Sequence, residues 1–160
     1  MDEFLIPHKH VSIRALLDQL NGPGIASFSF QNSFFYLYFP NDTSIDEILS
    51  TDHEYLVTMY KTTRLVKVHH HGSRSKYVVK PENVIECGNH NIWLYKSGKK
   101  QLRVNASVAL SHHYRICEFG GKSCVRQPHT VDTRAHHWAE TLAHDVGSDC
   151  RKIFPNGKCY

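Results

Sequence analysis

Two short polar clusters in this sequence could carry chemistry, and they lie far apart along the chain. Asp2 and Glu3 directly precede an apolar, strand-forming run at 4–7. Carboxylates held at the end of a strand are suited to ligating a divalent cation. A His-Tyr-Arg triplet at 113–115 follows a second strand-like run at 107–110. Imidazole ligates metals and guanidinium pairs with phosphate, so the two clusters together predict an enzyme that handles an anionic substrate through a metal.

Each cluster taken alone has a simpler interpretation. An Asp-Glu pair is typical of a solvated acidic terminus, and a histidine near a surface arginine is common at the end of a strand. Consecutive residues of a strand face opposite ways. Only one of His112 and His113 can therefore enter the same site.

The remaining metal-binding patterns in the sequence are weaker. The tract His69-His70-His71 predicts a solvated loop, because neighbouring side chains in an extended chain cannot easily ligate one ion. Four of the five cysteines lie between 117 and 159 without a Cys-x-x-Cys pair, which favours two disulfides over zinc and leaves three pairings open. Cys87 is left over, and burial would explain it.

The composition is that of a globular domain and excludes several classes. The 160 residues are 41% hydrophobic, with a net charge of +4 and no basic stripe interleaved with aromatics, so no nucleic-acid partner is expected. The sequence contains neither a membrane-length apolar run nor a signal peptide. Sequons at Asn41 and Asn105, with the cysteine-rich end, nevertheless favour an oxidising compartment. We therefore expect an N-terminal region beyond this sequence.

Local patterns predict alternating strands and helices. Ser12 precedes apolar residues at helical spacing up to Leu20, which predicts a capped helix that ends at Asn21-Gly22-Pro23-Gly24. The runs 25–30 and 34–39 predict a hairpin, and 45–49 a short helical turn. Further strands are predicted at 55–60, 64–68, 76–79, 84–87 and 92–95, followed by a helix at 133–144.

Five motifs in a fixed order resemble a known family. They are Asp2 to Pro7, the pair Ser27 to Phe30 and Phe34-Phe35, Arg74 to Pro81, Gly88-x-His90, and His113-Tyr114-Arg115. This order resembles the second half of the catalytic domain of glycosyltransferase family 92. The resemblance covers about residues 1–115, and we treat 116–160 as a cysteine-containing tail with one helix.

The resemblance implies a fold and an activity. The expected class is α/β, the C-terminal portion of a GT-A nucleotide-sugar transferase fold with a mixed sheet and flanking helices, truncated at the N-terminus. The implied reaction transfers galactose from UDP-galactose to a glycan acceptor with inversion, using Mn²⁺. The implied location is the luminal side of the Golgi membrane, through an anchor outside this sequence.

The resemblance also assigns roles to residues. It implies that Asp2 and His113 bind the metal and that Arg115 neutralises diphosphate charge. Arg74, Lys76 and His90 match family motifs and are predicted to bind the donor. The first choice for the general base is Glu86, with Asp46, Glu47 and Glu54 as alternatives.

One departure from the family pattern bears on activity. The first aspartate of the metal motif would precede Met1, so we expect a truncated and, by itself, inactive galactosyltransferase. The alternatives are a catalytically inactive glycan-binding remnant and an unrelated histidine-rich metal-binding protein.

Overall fold

The computed structural model describes residues 2–9, 12–49, 56–118 and 122–153. Its architecture is mixed α/β, as predicted, and it is built from several small sheets. The strands are β1 (Glu3–Pro7), β2 (Ile25–Phe30), β3 (Asn32–Tyr36), β4 (Thr63–Leu65), β5 (Lys76–Val79), β6 (Val84–Cys87), β7 (Ile92–Tyr95), β8 (Lys100–Val104), β9 (Ala109–Arg115) and β10 (His129–Val131). The helices are α1 (Ile13–Leu20), α2 (Val57–Tyr60) and α3 (Ala139–Ile153), with 3-10 segments at Thr43–Glu47, Pro81–Asn83, Ser123–Arg126 and Arg134–Trp138.

The sheet that positions the polar clusters has the order β1-β9-β3. Its central strand β9 runs antiparallel to β1 and parallel to β3. Glu3 and Phe34 are the neighbours of His113 on the two flanking strands. Because side chains alternate along a strand, these three residues share one face of the sheet.

A second sheet, with the order β5-β2-β8, packs beneath α1. The helix begins where predicted, since the Ser12 hydroxyl accepts a hydrogen bond from the Ala15 amide at 3.1 Å. Leu16 is buried against Phe28 and Phe30 of β2. The apolar face of α1 therefore covers this sheet.

The residues after β9 pack into the same body. β10 pairs with β4, and Ala135, Ala139 and Ala143 join a buried cluster with Ile45 and Met59. Cys117 is bonded to Cys124, and Cys150 is also disulfide-bonded. The predicted helix at 133–144 is present as a 3-10 segment that continues into α3.

The predicted hairpin is wrong. β2 and β3 are separated only by Gln31 and belong to different sheets, β2 between β5 and β8, β3 beside β9. Asn32 and Ser33, which were expected in the turn, are completely buried in β3. Every residue of both strands is buried, as is typical of strands covered on both faces.

Three other predictions also need correction. The strand at 55–60 is wrong, because residues 57–60 form α2; a short apolar run does not distinguish the two structures. The histidine tract is not simply solvated: the His69 amide donates to the Asn32 carbonyl at 2.8 Å, and His71 Nδ1 lies 2.9 Å from Ser29 Oγ, so that only His70 is exposed. Cys87 is free and exposed rather than buried.

Candidate functional site

The pairing of β1 with β9 brings the two polar clusters together. Nδ1 of His113 lies 2.8 Å from a Glu3 carboxylate oxygen, and Nε2 lies 3.3 Å from a carboxylate oxygen of Asp2. The ladder continues to Asp2, whose carbonyl accepts a hydrogen bond from the Tyr114 amide at 2.8 Å. One imidazole therefore lies between two carboxylates from the other end of the sequence.

Two opposing effects act on the pKa of His113. Burial lowers the pKa of His113 below its usual value, and the carboxylates of Glu3 and Asp2 oppose that shift without reversing it. A neutral imidazole has one N–H donor and one lone pair. One ring nitrogen of neutral His113 therefore presents its lone pair to a carboxylate, an arrangement that a cation at this position would stabilise.

Lys76 supplies a positive charge to the same site. Its ammonium lies 2.8 Å from the second oxygen of Glu3. Lys76 is the first residue of β5, and the preceding Ser75 is completely buried. The Ser75 hydroxyl accepts from the Gly72 amide at 2.8 Å and donates to the His90 carbonyl at 2.9 Å. His90 Nδ1 in turn lies 3.1 Å from the Ser75 carbonyl, so His90 holds the segment that carries Lys76.

Two arginines converge on the Phe34 ring beside His113. The guanidinium carbons of Arg74 and Arg115 lie 5.2 and 4.7 Å from the ring centroid, within cation-π range. The Phe34 ring meets His113 edge to face at 5.3 Å. Both arginines pair with Glu118, at 3.2 and 2.9 Å. This arginine pair carries two positive charges, and Glu118 balances one of them.

Two pockets are lined by residues that contact or neighbour His113. One, of about 330 Å³, is lined by Lys67, His69, Arg74 and Glu118 among others. The other, of about 190 Å³, is lined by Glu3, Lys76 and Ser111 among others. Along β9, Ser111, His113 and Arg115 follow at alternate positions on one face, and Ser111 lines the smaller pocket.

The sequence comparison fits these motifs. The model of glycosyltransferase family 92 matches residues 1–146 of the 160. The chain belongs to glycosyltransferase family 92. No curated protein matches the sequence. The family match extends beyond residue 115 into the segment expected to be a tail, and this segment packs against the rest of the domain.

Family membership accords with the mixed α/β architecture, which is compatible with a glycosyltransferase domain. It also indicates a transferase that takes a nucleotide-sugar donor and a glycan acceptor. Among the described residues, no helix is both long enough and apolar enough to cross a membrane.

The described residues at this site supply only part of a set of metal ligands. Within the ranges that the structure describes, no three His, Cys, Asp or Glu side chains are arranged to hold a metal ion. Carboxylate and imidazole donors nevertheless suit Mn²⁺, and metals that bind nucleotides commonly use one or two protein carboxylates together with substrate phosphates and water. Asp2 and His113 fit that incomplete ligand set.

The predicted base lies elsewhere in the structure. Glu86 is exposed on β6, opposite Leu94 of β7. Asp46 accepts a hydrogen bond from the Tyr60 hydroxyl at 2.8 Å, Glu47 is exposed, and Glu54 lies outside the described residues. The hydrogen bonds and ion pairs of the described residues do not join any of these carboxylates to His113.

The opposite face of β9 carries a separate charged cluster. His112 is completely buried, stacked on Phe35 at 4.2 Å between ring centroids. Burial lowers the pKa of His112 to about 3, despite Asp132 at 4.0 Å. Asp132 accepts hydrogen bonds from Arg64 and Arg134. The two neighbouring histidines thus face different environments, as the alternation of the strand predicts.

Sequence reasoning missed two members of the site. Glu118 follows β9 and carries no recognisable motif, so nothing in the sequence links it to Arg74. Phe34 belongs to a run of aromatic residues that the sequence assigns to the core. Only its position beside His113 on the neighbouring strand shows that it borders the site.

Proposed function

We propose that this chain carries the metal-binding and diphosphate-binding part of a galactosyltransferase centre. The donor is UDP-galactose, the metal Mn²⁺, the acceptor a glycan, and the anomeric configuration is inverted. The fold in this proposal is of the GT-A type. The observation that carries it is His113 between the carboxylates of Asp2 and Glu3.

Asp2 and His113 would hold the metal. Asp2 is the more exposed carboxylate, with 68% of its side chain accessible, whereas Glu3 is committed to Lys76 and His113. Bound there, Mn²⁺ would supply positive charge to the departing diphosphate. The second carboxylate and Lys76 fix the orientation of the imidazole and balance its charge.

Arg74 and Arg115 would bind the diphosphate. Guanidinium groups pair well with phosphate oxygens, and these two already share one carboxylate, Glu118. A diphosphate in the neighbouring 330 Å³ pocket would compete with Glu118 for the same donors. The Phe34 ring keeps both guanidinium planes in place.

The transfer itself is a single displacement. The acceptor hydroxyl gives its proton to a carboxylate, its oxygen forms a bond to C1 of galactose, and the bond from C1 to the diphosphate oxygen breaks with the electron pair leaving on the diphosphate. The sequence predicts Glu86 as the base.

A luminal location in the Golgi completes the proposal. The disulfide between Cys117 and Cys124 and the further disulfide at Cys150 suit an oxidising compartment. Asn41 and Asn105, the two sequon asparagines, are exposed. Both features support passage through the secretory pathway.

A second candidate is a glycan-binding protein without transferase activity. The absence of a three-ligand metal group among the described residues favours it. Saturation-transfer NMR with UDP-galactose separates the two. The transferase proposal predicts contacts to the uridine and galactose protons that need a divalent metal and are weaker for UDP-glucose. Binding of free oligosaccharides without any binding of UDP-galactose would favour the second candidate.

A further inference from the structure

A further pocket lies at the other end of β1 from Asp2 and Glu3. It encloses about 580 Å³, a volume typical of small-ligand sites. Its lining includes Pro7, Lys9, Arg134, His137, Trp138 and Glu140. Pro7 is the last residue of β1 and Glu3 the first, so about 13 Å of strand separate this pocket from the metal site.

The charge around this pocket is mainly positive. Lys9 and Arg134 line it against the single carboxylate of Glu140, and His8, His136 and His137 contribute further polar ring atoms.

The charge of Arg134 belongs to a buried cluster behind the pocket. Arg64 and Arg134 share one buried carboxylate, Asp132, and their own side chains are only 17% and 16% exposed. The two guanidinium groups carry two positive charges and the carboxylate one negative charge, so the cluster has a net charge of about +1. Arg134 is held in place at the pocket by a further hydrogen bond to the Ala106 carbonyl at 3.3 Å. A largely desolvated positive charge at a pocket wall favours an anionic ligand.

Trp138 gives the pocket an aromatic wall. It is half-buried, and the His137 ring meets it edge to face at 5.4 Å. His136 is fixed beside it, with Nε2 at 2.8 Å from the Met59 carbonyl. An indole face packs against apolar C–H surfaces, and Glu140 can accept hydrogen bonds from hydroxyl groups. The Trp138 ring, the Glu140 carboxylate and the positively charged wall together match a sugar that carries an anionic group.

We propose that this pocket binds an acidic glycan, a sugar unit carrying a carboxylate or a sulfate. The anionic group lies towards Lys9 and Arg134, and the sugar ring packs on Trp138. The site is separate from the metal pair and does not depend on the donor or on metal. Its failure would leave the proposed transferase function untouched.

The two tryptophans of the chain allow a direct test. Trp93 is 67% exposed on β7 and does not line this pocket, so Trp93→Phe leaves Trp138 as the sole indole reporter. In that background, a disaccharide that ends in glucuronic acid should change the Trp138 fluorescence saturably. Its uncharged methyl ester should bind at least about tenfold more weakly. A sulfated disaccharide serves as the second arm and distinguishes sulfate from carboxylate recognition.

Charge reversal at the pocket provides the matched comparison. Lys9→Glu should weaken binding of the acidic disaccharide about tenfold, and Lys99→Glu, on an exposed turn, should leave it unchanged. Lys9 is exposed, so its replacement should not disturb folding, which circular dichroism verifies. Equal affinity for acid and ester, no effect of Lys9→Glu, inorganic sulfate binding as tightly as the sugar, or no saturable change at millimolar disaccharide would each overturn the proposal.

Discussion

His113 lies directly opposite Glu3 in the β1–β9 ladder, with Nδ1 at 2.8 Å from the Glu3 carboxylate. The two residues are more than 100 positions apart in sequence and become cross-strand neighbours through the register of one sheet. The register also places Asp2 beyond Glu3, within 3.3 Å of Nε2.

Replacing Lys76 should have opposite effects on two ligands. Lys76→Met removes a positive charge 2.8 Å from Glu3, so affinity for Mn²⁺ alone should rise about threefold, a small change because the ammonium is 38% exposed. Affinity for UDP in the presence of Mn²⁺ should fall, because the carboxylate of Glu3, no longer balanced by Lys76, repels the diphosphate. Isothermal titration calorimetry measures both, with Lys96→Met as the control. A change of the same sign for both ligands would argue against a role for Lys76 at the site.

Removing the charge of Glu118 should strengthen anion binding. Glu118→Gln frees the guanidinium groups of Arg74 and Arg115 from their present partner. UDP should then bind more tightly, by about threefold to tenfold, and with a steeper dependence on salt. Glu82→Gln, on an exposed 3-10 segment, is the control. Weaker UDP binding in Glu118→Gln would show that Glu118 supports the arginines rather than competing with the ligand.

Neutralising Asp132 should destabilise the fold severely. Asp132→Asn leaves Arg64 and Arg134 largely buried without a countercharge, so the free energy of unfolding should fall by about 3–5 kcal/mol. Asp149→Asn breaks only an exposed pair with Lys152 and should change the free energy of unfolding little. Urea denaturation measures the free energy of unfolding of both variants. Equal stability of the two would mean that the Asp132 cluster does not hold the domain together.

The same cluster should govern acid stability. Burial alone would raise the pKa of Asp132, but hydrogen bonds from Arg134 and Arg64 outweigh it and lower the pKa well below 3.8. A carboxyl whose pKa is lowered in the folded state stabilises the fold at pH values above its pKa in the unfolded state. That contribution is lost as pH falls below about 4. The free energy of unfolding should therefore drop steeply between about pH 4 and pH 2.5. Asp132→Asn should show a shallower slope there, and an unchanged slope would contradict this account.

Local sequence signals predicted some elements well. Ser12 and the apolar spacing up to Leu20 specified α1, since a cap and a periodic face are encoded within one short stretch of the chain. The opposite orientation of His112 and His113 followed from strand alternation alone. Elements whose identity depends on distant partners were predicted poorly. Gln31 looked like part of a turn, whereas it marks the passage of the chain from one sheet to another.

The sequence singled out some residues of the candidate site but not its full membership. The types of Asp2 and His113 suggested a metal pair, and the β1–β9 register places them together. The register itself depends on a contact between residues more than 100 positions apart, which local patterns do not specify. Glu118 joins the site through the course of the chain after β9, so only the folded structure reveals it.

Manganese binding by the Asp2–His113 pair tests the central claim most directly. Electron paramagnetic resonance counts free Mn²⁺ during titration of the chain, with Asp2→Asn, His113→Gln and, as a matched control, the exposed His70→Gln. We expect one site, weakened about tenfold or more by Asp2→Asn and by His113→Gln and unchanged by His70→Gln. Equal Mn²⁺ affinity in all four proteins, or no binding to the unmodified chain in the presence of UDP, would contradict the account.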